Sequence, residues 1–427
     1  MINGKKALLI LGAISAMVDI VKNAKNKGYY VIVTDYYEDS PAKKYADESW
    51  MFSIDDVDGI VDMARKRGVD GVMNYCIDPV QKPYQEICEK LSLPCVAGFE
   101  QFEIMTNKDK FGECCLKYGV GTIPTYEVED FSHIESLLKV DFPVVVKPVD
   151  GRASKGISIC TDVKEVNDAV KIALDHSKRK VVRIEKYLQC PEICVKYFAC
   201  DGEFYLSTMA DVYKCFTEEG EKVYLGTQTY PSRFLKEYLE TTHGKVLNML
   251  KSIGIKNGAM SLTGFYDNGV FRFFDPSLRM GGAQDWCIAA AASGIDISDC
   301  LTEFAMCGRI IDKYNLKKLD CAIANKPSAL LYFDIGVGTI GYIDGITEAS
   351  MLGNVVGYHM CHKVGDEIKG LGTSDNVAVR FIVSADTTLD LVKTIEKIQS
   401  IVSIKDINGD DMVISPFDSS VLLEGSM

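Results

Sequence analysis

The sequence predicts a multidomain chain of α/β and α+β character, and three observations carry that prediction. Strand and helix patterns alternate through residues 1–93. A second α/β stretch, punctuated by glycine-rich and proline-marked loops, fills residues 94–310. Short β-branched runs separated by turns then dominate residues 311–427. Continuous apolar strands alternating with amphipathic helices imply a parallel sheet covered on both faces. A chain of 427 residues has room for several domains, each able to bury a core.

In the first segment, Ala7-Leu-Leu-Ile-Leu11 is an unbroken apolar strand and Gly12-Ala-Ile-Ser15 a turn. Apolar residues at 17, 18, 20, 21 and 24 give Met17 to Lys27 a helical stripe. Tyr29 to Thr34 reads as a strand, Ile60 to Arg67 as a helix, Gly71 to Asn74 as a strand and Val80 to Leu91 as a helix. The order is Rossmann-like. A dinucleotide fingerprint needs three glycines at the first turn, however, and Gly12 stands alone, which argues against NAD.

In the second segment, Asn107-Lys108 caps and opens a helix over Asp109 to Tyr118, which Gly119 ends. Strands near 143–147, 157–161 and 181–185 bracket a helix over Val163 to Ser177. Ser232 to Ile253 reads as one long helix. It precedes the strand pair Ala259–Tyr266 and Val270–Asp275, joined by an Asp267-Asn268-Gly269 turn. In the third segment, strands are expected at Leu330–Phe333, Gly338–Ile343, Val355–His362, Val377–Val383 and Ile401–Ile404, with a helix over Leu389–Ser400.

Composition narrows the function. Apolar residues make up 47 % and charged residues 25 %, ordinary values for a globular protein. With 47 basic against 60 acidic side chains the net charge is −13, which argues against nucleic acid as the main partner. No apolar run approaches the length of a membrane span. The 15 cysteines are scattered, and Met1-Ile-Asn-Gly-Lys-Lys runs straight into a strand without a signal-like region. A reducing cytoplasm, with thiols used as small hydrophobes, is the expectation.

One ordered set of residues points to chemistry. Pro143-Val-Val-Val-Lys147-Pro148 is a buried-type strand ending in a cation. The loop Asp150-Gly-Arg-Ala-Ser154-Lys155-Gly156-Ile157 follows it, rich in backbone N–H groups. Val181 to Glu192 then supplies a strand, the hinge Glu185-Lys186-Tyr187-Leu188 and a second carboxylate seven positions after the first. A fixed cation, a loop that can cover phosphates and an extended acidic hinge are the parts needed to hold a nucleoside triphosphate. Taken singly, each of these residues is more often a solvated surface charge.

Other constellations in the sequence are weaker than this set. His359-Met-Cys361-His362 has zinc-like content, but in a strand residues 359 and 361 share one face while 362 points away, and no second ligand pair completes a tetrahedron. Cys190 and Cys194 form CxxxC rather than CxxC, and Cys114-Cys115 lies on an amphipathic helix; packing is the better reading of both.

The order of these elements resembles the ATP-grasp superfamily of ligases, within it the branch of carbamoyl phosphate synthetase, biotin carboxylase and the L-amino acid ligases. The resemblance covers nearly the whole chain and implies a pre-ATP-grasp domain at 1–93, an ATP-grasp domain at 94–310 with a small lid at about 120–185, and a C-terminal β-rich α+β domain at 311–427. It implies ATP and Mg²⁺ as cofactors. Lys108 and Lys147 would contact phosphates, Ser154, Lys155 and Gly156 would cover them, Glu185 to Leu188 would read adenine, and Glu192 would take the ribose hydroxyls.

The stretch Phe271-Arg-Phe-Phe-Asp275-Pro-Ser277-Leu-Arg279-Met-Gly-Gly282 resembles the superfamily's Glu-x-Asn-x-Arg-x-Gly-Gly. Asp275 would then be the acidic metal ligand, Ser277 would replace the asparagine, and Arg279 would face the acyl phosphate. Thr263 stands where a further ligand is usual. The implied catalytic set is Arg279, Lys147 and Lys108. The implied reaction joins a small carboxylic acid to an amine, with a homodimer compatible with the superfamily. Asp211, Lys214 and Arg233 are candidates for substrate selection, with solvated charge as the competing reading. Bicarbonate activation and a catalytically silent nucleotide-binding module are the alternatives.

Overall fold

The computed structural model describes residues 1–126, 140–149, 156–217, 222–310 and 314–424. Its first layer is a parallel sheet in the order Glu48–Trp50, Tyr30–Thr34, Ala7–Leu11, Gly71–Met73. Every residue of Ala7–Leu11 is buried, because helices Val18–Asn26, Val57–Arg67 and Gln81–Leu91 leave the strand no solvent face. The alternation was legible in advance. Strand Glu48–Trp50 and helix Phe99–Thr106 were not.

The second body is a nine-stranded sheet. At its centre, Glu192–Cys200 lies between Glu203–Phe216 and Gly258–Asp267, both antiparallel to it. Val270–Ser277 extends one side through the turn at Asn268 and Gly269, both at positive φ. On the other side Lys222–Tyr230 pairs with Ser328–Asp334, which pairs with Val377–Ser384 and then Val355–Met360. The C-terminal α+β region is thus joined to the centre by sheet hydrogen bonds. Its remaining small sheet, Glu367–Ile368, Gly338–Asp344 and Ser403–Asp406, and helix Thr388–Ile401 complete a core of their own.

A separate four-stranded antiparallel sheet runs Thr125–Tyr126, Val182–Lys186, Val144–Pro148, Ser158–Cys160. Helix Val163–His176, capped by the Asp162 carboxylate on the Lys164 and Glu165 N–H groups, packs Val166, Ala169, Val170 and Ala173 against it.

The expected helix from Ser232 to Ile253 is two helices, Leu235–Thr241 and His243–Ile253. The break falls at Thr242, second of two adjacent β-branched residues, whose φ of −127° leaves the helical region. It lets the His243 ring stack on Tyr197 (centroids 5.7 Å apart), with Nδ1 2.8 Å from the Tyr197 hydroxyl. Among the described residues no helix is long and apolar enough to cross a membrane.

Candidate functional site

Register decides which side chains meet. Residues directly opposite in an antiparallel sheet share a face. Glu192, Cys194 and Lys196 therefore lie on the same face as Phe265, Thr263 and Ser261 of one neighbour, and Thr263 and Ser261 lie opposite Asp275 and Ser277 of the next. The face continues the other way through Val212 and Gln228 to Leu330 and, two residues on, Tyr332, which opposes Arg380. A cleft of about 530 Å³ opens on it. The opposing wall is the loop after strand Gly71–Met73 with the Ile14–Ala16 turn, at the C-terminal ends of the parallel strands.

Two of the predicted carboxylates meet cations here. Glu192 Oε2 lies 2.8 Å from Lys214 Nζ, with the Glu192 side chain only 10 % exposed. Lys214 also sits 5.4 Å from the Phe265 ring centroid. Asp275 Oδ1 is 2.8 Å from Lys108 Nζ, both half exposed. Lys108 is presented there because the Asn107 side chain accepts from the Asp109 and Lys110 N–H groups and starts the helix Lys108–Lys117 at that point.

Arg279 is gripped more tightly. Its Nε donates to Asp78 Oδ1 at 2.6 Å, its terminal nitrogen pairs with Asp78 Oδ2, and Nη1 donates to the Met280 carbonyl at 2.6 Å. Burial works against its charge, and the bidentate Asp78 carboxylate outweighs burial, so its pKa lies above the usual arginine range. Ser277 Oγ, itself buried, donates to the same carboxylate at 3.2 Å.

Beneath this lies a buried ion pair, Lys196 Nζ to Asp285 Oδ1 at 2.5 Å, with both side chains under a tenth exposed. A Cβ on Gly281 would collide with both partners, which accounts for glycine there. Breaking such a pair costs about 3–5 kcal/mol, so the pair fixes the turn that carries Arg279.

Lys147 and Glu185 belong to the smaller sheet, where Lys147 Nζ is 2.5 Å from the buried Glu185 carboxylate. Arg183, opposite Lys147 in register, lies 3.7 Å from Glu185 and pairs with Asp109, tying this sheet to the helix that begins with Lys108. Lys147 and Glu185 do not line the 530 Å³ cleft.

In the hinge, the Lys186 N–H is taken by the Pro124 carbonyl (2.9 Å) and that of Tyr187 by Pro143 (3.0 Å). Among the hydrogen bonds of the described residues none uses the Leu188 N–H. Gly156, at φ +74°, packs so closely on His176 that a Cβ would lie 2.8 Å from its Cβ. Ser154 and Lys155 lie outside the described residues.

The donor set suits one hard divalent cation. Asp275 offers a half-exposed carboxylate on the cleft face, and Thr263 sits opposite it in register. Ser277 is turned toward Asp78. One carboxylate is compatible with Mg²⁺, which keeps several waters and takes phosphate oxygens for the rest of its octahedron.

Other predicted residues separate from this cluster. Asp211 and Arg233 point to the opposite face of the sheet, where Asp211 accepts from Ser232 Oγ at 2.6 Å and from the Arg233 N–H at 3.2 Å. They line a different cavity of about 750 Å³, and substrate selection in the cleft does not fall to them. Burial raises the pKa of Asp211. His362 is held by Asp366 and the Asp375 carbonyl. Asp78, Lys196, Asp285 and Arg380 were missed. A carboxylate before proline at a helix start was the one available hint for Asp78; a lysine inside an apolar run, Val195-Lys196-Tyr197, was the hint for Lys196.

Comparison with known proteins places this geometry. Residues 122–216 match the family model described as D-ala D-ala ligase C-terminus. A formate-dependent phosphoribosylglycinamide formyltransferase from Prochlorococcus marinus is 25 % identical over 206 residues, 48 % of this chain and 50 % of that protein. The chain spans about half the length of the curated relatives it matches.

Solved structures align more widely. Phosphoribosylglycinamide synthetase from Anaerococcus prevotii superposes with a TM-score of 0.75 at 20 % identity, covering 94 % of this chain and 100 % of that one. The biotin carboxylase–βγ-ATP complex from Campylobacter jejuni gives 0.75 at 17 %, covering 98 % and 94 %. The architecture is the one these proteins share.

Proposed function

We propose that this chain, which has the ATP-grasp fold, is an ATP-dependent ligase that activates a small carboxylic acid as an acyl phosphate and couples it to an amine. The observation that carries the reading is the cleft face itself, which gathers Glu192, Asp275 and the Asp78-braced Arg279 along one sheet surface. The Leu188 N–H, without an acceptor among the described residues, beside the engaged Lys186 and Tyr187 N–H groups supports an adenine edge docking there. Glu192, nearly buried, has the acceptor oxygens for two ribose hydroxyls.

The phosphates would extend toward Lys108, and toward Lys147, which Glu185 holds in place. Mg²⁺, held by Asp275, would neutralise phosphate charge when bound. In the first step a substrate carboxylate oxygen attacks the γ-phosphorus and the bond to ADP breaks. In the second, the amine nitrogen attacks the acyl carbon, phosphate leaves and the nitrogen loses a proton. Arg279 would stabilise the charge that grows on the acyl phosphate, with Asp78 fixing its orientation. Exclusion of water from the closed cleft would protect that intermediate from hydrolysis.

Two other readings keep specific support. Bicarbonate activation is favoured by the similarity to a biotin carboxylase. A silent nucleotide-binding module is favoured by Ser277, which stands in place of the asparagine of the resembled stretch, and by Thr263, which stands where a further ligand is usual. ADP release measured across a panel of carboxylic acids and amines, with and without Mg²⁺, separates the three. Release that needs both an acid and an amine supports the ligase; release with bicarbonate alone supports the carboxylase. No release with any pair, alongside measurable ATP affinity, would leave the silent module. A reducing cytoplasmic setting is part of the proposal, supported by 15 free cysteines. Small molecules are the proposed partners, and a homodimer would follow the superfamily's habit.

A further inference from the structure

Four cations on or under the cleft face have a carboxylate each: Lys108 with Asp275, Lys196 with Asp285, Lys214 with Glu192, and Arg279 with Asp78. Arg380 breaks the pattern. It lines the cleft and is 9 % exposed, yet among the described residues no carboxylate lies within ion-pair distance of it. Its Nη1 donates to the Gly282 carbonyl at 3.0 Å, and its guanidinium carbon lies 5.8 Å from the Tyr332 ring centroid. Its Nε is buried with no hydrogen-bond acceptor among the described residues, while the Tyr332 and Cys361 side chains lie beside the rest of the guanidinium.

Directly opposite in register is His359, whose Nε2 is likewise buried without a partner among the described residues. Burial, and then the Arg380 charge, push the His359 pKa down to about 4, so the ring is neutral and adds no competing charge near pH 7. Burial opposes the Arg380 charge and the neighbouring Tyr332 and Cys361 side chains outweigh it, so its pKa lies above the usual arginine range; neither is a carboxylate, and a ligand oxyanion would supply the formal counter-charge that the other four cations have. The two arginines flank one turn: Arg279 is anchored to the carbonyl of Met280 and Arg380 to that of Gly282, on either side of Gly281.

From this geometry we infer that Arg380 is the docking point for an oxyanion, a carboxylate or a phosphate monoester, carried by the organic substrate some bonds away from its reacting atom. The inference rests on the ligase reading for which substrate this is, but not for the anion site itself. The substrate class is therefore an anionic one, an amino-acid-like or phosphorylated compound rather than a neutral amine. Arginine suits the role because its planar fork matches both oxyanions.

The test compares wild type, Arg380→Met and Arg380→Lys by thermal melting, with acetate and inorganic phosphate titrated separately in the presence of saturating MgADP. Wild type should be stabilised by at least one of the two anions, and which one identifies the headgroup. Arg380→Met should melt at or above the wild-type temperature without anion and should need at least tenfold more anion for the same shift. Arg380→Lys should fall between. No stabilisation of wild type by either anion overturns the inference, as does an equal response in Arg380→Met. Loss of MgADP binding in wild type would refute the ATP reading instead. The anion comparison between the variants then still stands by itself.

Discussion

Replacing Glu192 by alanine isolates the nucleotide part of the proposal without knowledge of the substrates. The carboxylate is 10 % exposed and sits 2.8 Å from Lys214. If it accepts both ribose hydroxyls, each bond is charge-assisted and contributes about 1.5–3 kcal/mol before water recovers part of it. A net loss of about 2–3 kcal/mol corresponds to a Kd for MgADP raised roughly 30- to 150-fold.

Folding should suffer far less. Lys214 is 31 % exposed, so its ammonium can rehydrate, and the lost pair is worth about 1 kcal/mol or less. Glu192→Gln keeps one acceptor oxygen and should weaken binding by about tenfold or less. Isothermal titration calorimetry on the wild type and both variants reads these values directly. A Glu192→Ala protein that binds MgADP within twofold of wild type would refute the assignment.

Three further outcomes follow from the same structure. Arg279→Ala should lower kcat by about 100-fold or more on any acid and amine pair that supports turnover, with MgADP affinity within threefold. Asp78→Asn should act in the same direction more weakly, since it loosens the guanidinium without removing it; ADP-release kinetics check both, and unchanged kcat in Arg279→Ala would remove it from the chemistry. Asp334 gives a pH signature. Burial raises its pKa from 3.8 to about 7, so between those values the folded state holds a proton the unfolded chain has lost, and stability falls as pH rises by up to about 1.4 kcal/mol per pH unit. His359 has the reverse sign: its folded pKa near 4 lies below the ordinary 6.5, so stability rises with pH between them. The two oppose each other from about pH 4 to 6.5, and Asp334→Asn should unmask the rise in denaturation midpoints measured at pH 5, 6 and 7; parallel profiles would contradict the assignment.

How much of this could be read from residues alone depends on where the deciding contacts lie in the chain. The parallel sheet was legible because Ala7–Leu11 and its helices carry their periodicity locally. Lys147 and Glu185 could be picked out because a lysine ending an apolar strand and an acidic hinge are local patterns, although their pairing across 38 residues was not visible. The central strands Glu192–Cys200, Glu203–Phe216 and Lys222–Tyr230 escaped because polar and apolar residues mix along them, one face of the sheet lining the cleft.

Arg279 could be singled out by its local stretch, while its brace, Asp78, lies 201 residues earlier. Arg380 lies 98 residues beyond Gly282 and acquires its character from what is missing around it, which no spacing rule encodes. Asp211 and Arg233 misled because a two-residue period decides the face, and the charges at 211 and 214 fall on opposite sides of a bulge between Val212 and Lys214.

The junction at Gln228 to Tyr230 with Ser328 to Leu330 has a practical corollary. A fragment halted before residue 328 would leave strand Lys222–Tyr230 with bare N–H and C=O groups along one side, a template for neighbouring molecules to add to. Such a piece should gather into insoluble material rather than behave as a minimal nucleotide-binding unit. The last hundred residues are, in that sense, the cover that keeps the middle of the protein from sticking to itself.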